Sequence, residues 1–264
     1  AFTPEQRKVL ENGIIKNGFA PIMVSYQTAG SPMSDAATVK NNHNSMCNGG
    51  ALISALAFMD VDEETCCYIA SNAIRGFENM LMNYAPDGTW YEGAYYGEIN
   101  LNYISMAFSA LEKTVGTLFR LDTLEGFSKA SDYIRYVQSD VGCYNFADGR
   151  SVALKTPFWA EAHFGKAADC GTIIKNGLAS GTKEGLPLAL LWGKTGTDSA
   201  EAELDKYYAK DEIVLLHDSF DDNQTFAGIK AGDTIYEHSQ FDSGSFVFDS
   251  QGTRWGHDLG ADDY

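Results

Sequence analysis

Between residue 4 and about residue 192, apolar residues return every three or four positions, the spacing of one face of a helix. FTPEQRKVLENGIIKNG opens with Thr3 as N-cap, Pro4 at the first helical position and Glu5 close behind. Asn17-Gly18 predicts its stop. The polar run MVSYQTAGSPMSDAATVKNNHNSM reads as a loop, and CNGGALISALAFMD as the next helix. In VDEETCCYIASNAIRGFENMLMNY, Ile69, Ala73, Phe77, Met80 and Leu81 keep near-helical spacing until the turn signal APDGT. Further helices are predicted through INLNYISMAFSALEKTVGTLF and LEGFSKASDYIRYVQ, with shorter ones around PFWAEAHFG and GLPLALLW. No sequence-identical repeat is visible. The recurring helix pairs are what an α-helical toroid of hairpins would produce.

Near residue 211 the period changes to two. EIVLLHD, TFAGIKAG, GSFVFDS and TRWGHDLG are short, rich in β-branched or aromatic residues, and separated by Asp, Asn and Gly. In GSFVFDS, Phe246 and Phe248 alternate with Ser245, Val247 and Asp249, as in a half-buried strand, and Gln251-Gly252 reads as a hairpin tip. The expected fold class is mainly α with a β portion: an incomplete (α/α) toroid over 1–207, then antiparallel β-sandwich strands over 208–264. So short a β portion, about 55 residues, is expected to be incomplete or to lean on the helices, and the chain to be a fragment.

Charge narrows the partners. A formal charge of −17, from 36 acidic and 19 basic residues, argues against nucleic acid, which requires a basic footprint. No apolar run approaches the length of a membrane span, so no membrane partner is expected. The N-terminal stretch lacks the blocks of a signal peptide, although a mature secreted protein would begin the same way. Cys47, Cys66, Cys67, Cys143 and Cys170 show neither CxxC nor zinc spacing and read as reduced, mostly buried thiols. The expected location is bacterial-type, cytoplasmic or periplasmic/secreted, with the thiols favouring the cytoplasm slightly. The oligomeric state is left open.

Four stretches carry a resemblance. NNHNSMCNGG (41–50), PDGTWYEGAYYGE (86–98), YNFADG (144–149) followed by PFWAEAHFG, and HSQFDSGSFVFDSQGTRWGHDLGADDY (238–264) occur in this order. Together they resemble the heparinase II/III-like family of polysaccharide lyases, which pair an incomplete (α/α) toroid with an antiparallel β-sandwich. The respective counterparts are an Asn-rich segment opening a toroid helix, a PDG…EG…Y loop and helix start, an FNYGD-type motif, and an HxHxDxGSF…W…DLG hairpin. The last is the most specific.

The resemblance implies β-elimination on a uronic-acid polysaccharide or oligosaccharide, leaving an unsaturated uronate end, with no cofactor. A neutral donor must disperse the uronate carboxylate's charge so that the C5 proton can leave, and a base and an acid must serve C5 and O4. It assigns the carboxylate to Asn42 with His43, proton transfer to Tyr96, and an assisting imidazole to His238. Substrate contacts fall to Tyr95, Glu92 and Asn145. Plainer readings stand beside these: Asn42 as a helix cap, His43 and His238 on the surface, and the tyrosines as packing. Tyr95, Tyr91 and Tyr103 also leave the tyrosine register open. Many relatives carry Trp at the position of His43, so the Asn transfers more securely than the imidazole.

Some relatives bind zinc with the second His of HxHxD, an Asp and a later His. Here Gln240 and Asp258 occupy the first two places, and no metal with this ligand set is expected. Arg75, Arg120, Arg135 and Arg150 form no basic stripe, which favours an unsulfated uronate chain over heparin. Two alternatives remain open: a carbohydrate-binding or structural protein with a degenerate lyase site, or a toroid glycoside hydrolase using Glu92 and Glu98.

Overall fold

The computed structural model describes residues 2–28, 36, 38–154, 157–165, 186–193 and 203–261. The chain divides into two compact units, residues 1–83 with 106–122, and residues 84–105 with 123–264. Each is taken by itself. Cys170 lies outside the described residues.

In the first unit, α1 (Pro4–Ile14) starts on a capping box in which Thr3 and Gln6 satisfy each other's backbone N–H groups. Asn17-Gly18 does not stop this helix. The chain widens into a π-helical turn (Ile15–Phe19), closed by the Ala20 N–H on the Ile15 carbonyl, and continues as α2 (Ala20–Gln27). Pro21 has no N–H to give the Asn17 carbonyl, and widening the preceding turn absorbs that loss without ending the helix. The predicted polar loop is therefore shorter, since Met23–Gln27 are helical.

Helix α3 (Asn42–Ala57) and α4 (Glu63–Leu81) form a hairpin. Asp62 caps α4 by accepting from the Thr65 N–H, and Glu63 and Glu64 favour its positive end. Phe19, Ala51, Ala55, Cys66 and Ile69 make the core, joined by Ile22, Met23 and Phe58. A polar thread crosses this apolar packing. The fully buried Asn44 amide donates to Val39 O at 2.7 Å and Gly76 O at 2.9 Å. Asn48 donates to Ala36 O at 2.7 Å and accepts from the Tyr26 hydroxyl at 2.8 Å. Gly76 is required here, because an added Cβ would lie 2.4 Å from the Asn48 Nδ2. Of the cysteines, Cys66 and Cys143 are buried and Cys47 and Cys67 exposed, all four as free thiols.

Helix α5 (Ala94–Val115) begins five residues before the predicted stretch, which puts Tyr95 and Tyr96 on its first turn. The predicted helix over 124–138 is a 3₁₀ turn (Phe127–Lys129) followed by α6 (Ala130–Tyr136), since Gly126 takes a left-handed conformation. The short pieces are α7 (Phe158–His163) and α8 (Leu186–Trp192). No described helix is long and apolar enough to cross a membrane.

The second unit's sheet is an antiparallel meander in the order β1 (Asp205–Tyr208), β2 (Ile213–His217), β3 (Phe226–Lys230), β4 (Phe246–Ser250), β5 (Thr253–Gly256). β1 lies before the change of period near residue 211, and β5 ends before His257. The period-two reading of β4 holds, but the two phenylalanines take the outer face. Val247 and Asp249 are fully buried, while Phe246 and Phe248 are 55% and 39% exposed. The reason is electrostatic. Asp249 receives both Arg254 Nε and Nη2 at 2.7 Å and the Ser139 hydroxyl at 2.6 Å. Arg254 also donates to Cys143 O at 2.8 Å and to Gly142 O at 3.1 Å. A buried, bidentate charge pair that also holds the 139–151 segment dictates which side of β4 faces inward.

A second polar cluster lies where the PDG loop meets the β1–β2 turn. Asp87 accepts from the Thr89 hydroxyl and the Lys210 N–H, each at 3.1 Å. Burial pushes the neighbouring Asp211 carboxyl above its ordinary range and the Lys210 ammonium below its own.

Two stability predictions arise from these clusters. Asp249→Ala strands the Arg254 guanidinium and should cost about 3–5 kcal/mol in urea unfolding, whereas the paired change Asp249→Leu with Arg254→Met should cost less. Equal losses would show that the pair does not orient β4. For Asp211, whose folded pKa is raised, the stabilising contribution is complete below the ordinary value of 3.8 and disappears as pH rises through the folded value. The advantage of Asp211→Asn over wild type should therefore grow with pH across that acidic window. A constant difference would remove the buried carboxyl as its cause.

Candidate functional site

The PDG loop delivers the first groups. Trp90, fully buried, donates its indole N–H to Glu92 Oε2 at 2.8 Å, so the Glu92 carboxylate is held in an interior with no solvent exposure. Gly93 follows with φ +92°, and a Cβ there would meet Phe146 O at 2.9 Å. That close approach seats the start of α5 against the turn at 146–147. One turn on, Tyr96 and Tyr95 are partly exposed, their rings edge to face at 5.6 Å.

The second set comes from the 15-residue connection between β3 and β4, numbers 231–245. His238 lies here with φ +62°, an unusual conformation for a residue with a side chain. Its ring stacks on Tyr96 with centroids 4.0 Å apart and planes 16° from parallel. Its Nδ1 is 2.8 Å from Asp148 Oδ2, and its Nε2 is 3.8 Å from Glu92 Oε1.

Asp148, in the YNFADG turn, organises the histidine. It accepts from Gln240 Nε2 at 2.8 Å through its other oxygen, and its backbone N–H donates to His238 O at 3.0 Å. Ala147, also at positive φ, donates its N–H to Asp242 Oδ2 at 2.6 Å, and Asp242 pairs with the buried Lys230 ammonium at 3.3 Å. The closer carboxylate, at hydrogen-bond distance from Nδ1, accepts that nitrogen's N–H, so in the neutral form of the ring the lone pair lies on Nε2. An imidazole fixed in this tautomer takes or returns a proton through Nε2.

Of the residues predicted from the sequence, the structure brings Tyr96, His238 and Glu92 together, with Tyr95 beside Tyr96. Asn145 is buried and its amide donates to Asp258 O at 3.1 Å, a bond that pins residue 258. Asn42 and His43 belong to the first unit, at the start of α3. The cap is Asn41, which accepts from the His43 N–H at 3.1 Å, so Asn42 is not the capping residue. Asn42 is buried and His43 partly exposed. Gln240 donates to Asp148, and the Asp258 carboxylate accepts from the Gly260 N–H at 2.8 Å. Among the described residues no group of three or more His, Cys, Asp or Glu side chains is arranged to hold a metal ion. Two contributors were missed. Asp148 and Trp90 stand inside quoted motifs, yet their roles depend on partners 90 residues away or two residues on, which no local pattern distinguishes.

No family model and no curated protein matches the chain. Solved structures do. A heparinase III gene product matches with a TM-score of 0.62 at 15% identity, over 96% of this chain and 36% of the other. Heparan sulfate lyase HepC from Pedobacter heparinus gives a TM-score of 0.60 at 13% identity, over 98% and 37% respectively. A further heparinase III gives 0.57 at 13%, over 83% and 35%. The chain thus spans little more than a third of the length of the solved structures it matches. At such identities the likeness is one of fold: an N-terminal helical region and a C-terminal antiparallel sheet, matching part of the heparinase-like toroid and sandwich.

The geometry predicts a specific signature. Asp148→Asn keeps the size of the side chain but turns an acceptor for the His238 Nδ1 proton into an amide. The hydrogen-bonded Nδ1 proton of His238, followed by NMR, should lose its protection from exchange while the fold remains. Unchanged protection would mean that Asp148 does not hold the ring.

Proposed function

We propose that the chain carries the proton-transfer groups of a polysaccharide lyase acting on uronate-containing glycans by β-elimination. The observation that carries this reading is the His238 ring stacked on Tyr96 while Asp148 holds its Nδ1. A phenol beside an oriented imidazole supplies two proton carriers within one site, which elimination across C4 and C5 requires. The base takes the C5 proton, the C5 electron pair forms the C4=C5 double bond, and the C4–O4 bond breaks. The acid then protonates O4 of the departing chain. In this reading Tyr96 moves the proton and His238 assists. Asn42, with His43, disperses the charge of the uronate carboxylate, a role supported by the sequence resemblance. The neighbours in fold are named heparinase III and heparan sulfate lyase.

The acidic balance supports a chain of low sulfation as substrate, since a densely sulfated one meets a formal charge of −17 without a basic stripe to offset it. Hydrolysis by Glu92 and Glu98 has weaker support. Glu92 is fully buried under Trp90, and Glu98 is buried and bonded to the Asn102 amide, so neither is placed as an exposed carboxylate beside a sugar bond.

Elimination creates a double bond conjugated with the uronate carboxylate, and the ultraviolet absorbance of that group reports it directly. Absorbance should rise with at least one of hyaluronan, heparosan, chondroitin, alginate or a plant glucuronan. Tyr96→Phe should lower kcat by about 10²–10⁴-fold. A flat trace on every uronate glycan, or full activity in Tyr96→Phe, would overturn the reading.

A further inference from the structure

Two residues before His238, Tyr236 stands 43% exposed in a turn closed by the Ser239 N–H on its carbonyl at 3.0 Å. Its ring rests on Tyr91 with centroids 5.0 Å apart and planes at 53°. Tyr91 is itself fixed. It packs on Trp90 at 5.3 Å and has the Lys210 ammonium over its ring at 5.9 Å. Behind Trp90 the contacts run on to Tyr84 and then Phe127, both fully or nearly fully buried. Tyr236 is thus the outermost member of a braced aromatic row, and Ile235 beside it is 82% exposed. The row reaches the surface next to the proton-transfer groups, since Tyr91 precedes Glu92 and Tyr236 nearly adjoins His238. A braced ring loses little freedom when a second flat surface covers it.

The charges around this row restrict what it can cover. Burial first, and then the negative charges of Glu92 and Glu237, hold the Tyr91 hydroxyl well above its ordinary pKa. The hydroxyl therefore stays neutral, and the surroundings carry negative potential. The Lys210 ammonium, buried over the Tyr91 ring and without a hydrogen-bond partner among the described residues, is turned to the ring. A carboxylate or sulfate at Tyr236 comes beside the exposed Glu237 carboxylate, whereas the C–H face of an uncharged sugar brings no charge to be repelled.

We infer that Tyr236, propped by Tyr91, is a stacking subsite for an uncharged sugar residue flanking the uronate, and that Glu237 beside it excludes sulfated residues. The inference rests on the lyase reading for its position along the substrate, but not for the binding itself. In an alternating glycan the uronate occupies the proton-transfer groups, and its unsulfated N-acetylhexosamine neighbour lies on Tyr236.

Steady-state kinetics on heparosan and on its N-sulfated form, together with calorimetry on a neutral N-acetylhexosamine oligosaccharide, test this on the intact chain. Tyr236→Ala, at an exposed position, should raise KM for heparosan about 3–10-fold with little change in kcat, and Tyr236→Trp should restore it. Glu237→Gln should narrow the gap in KM between the sulfated and unsulfated chains. The neutral oligosaccharide should bind wild type, insensitive to salt, and should lose affinity in Tyr236→Ala. Elimination with an unchanged KM in Tyr236→Ala would overturn the subsite and leave the lyase standing. Tyr236-dependent binding of the neutral sugar without elimination would do the reverse. Absence of both would remove both.

Discussion

The site depends on one clasp between two irregular segments, the 145–149 turn and the stretch from His238 to Asp242. Asp148 binds the histidine ring through its side chain and the histidine carbonyl through its backbone, while Gln240 occupies its second oxygen. Asp242 answers in the opposite direction, accepting the Ala147 N–H. Ala147 and His238 both hold positive φ, a conformation that costs energy for a residue with a side chain and survives only where its surroundings over-determine it. The reciprocal bonds supply that over-determination. They also explain how a histidine on a long connection, with no strand to fix it, can be aimed to within the 4.0 Å stacking distance of a helix residue.

The clasp needs a firm base, and buried charge provides it on both sides. Lys230 at the end of β3 neutralises Asp242, and Arg254 on β5 neutralises Asp249 while binding the carbonyls of Gly142 and Cys143. The Asp249–Arg254 pair thereby ties both ends of the 139–151 segment to the sheet, at Ser139 and Ser151, and the Lys230–Asp242 pair ties its middle at Ala147. Such pairs add little net stability compared with apolar packing of the same shape. What they contribute here is register: a charge that must find its partner admits one arrangement, where a set of apolar side chains would admit several.

This division explains what was legible in the sequence. Helices α3 and α4 and strands β2 to β4 could be read because their periodicity reflects burial along a continuous element. Tyr96 and His238 could be singled out because their motifs are local. Asp148 could not, since its importance comes from a residue 90 positions away. Which side of β4 faces inward could not be read for the same reason. Hydrophobicity suggests that Phe246 and Phe248 point inward, but the carboxylate of Asp249 has its partners inside, and one side of a strand cannot be reversed alone. The helix that runs through Asn17-Gly18 shows that a stop signal is a local preference, overridden here when the turn before Pro21 widens.

The same bookkeeping of charge bears on how an anionic sugar could be handled by so acidic a chain. In the second unit, the two buried cations beside the clasp already have partners within the fold: Lys230 lies against Asp242 and the glycine and aspartate carbonyls at 232 and 233, and Arg254 is enclosed by Asp249 and three neighbours. Releasing either would leave a buried carboxylate uncompensated, at a cost comparable with the whole margin of stability of a small domain. On the proposed lyase reading, these two cations leave recognition to other groups, among them aromatic faces, amides and hydroxyls. Neutral donors also suit elimination chemistry. A full positive charge beside the uronate would stabilise the ground-state carboxylate as well as the enolate, whereas a hydrogen bond that strengthens as charge moves onto the carboxyl oxygens acts selectively on the transition state.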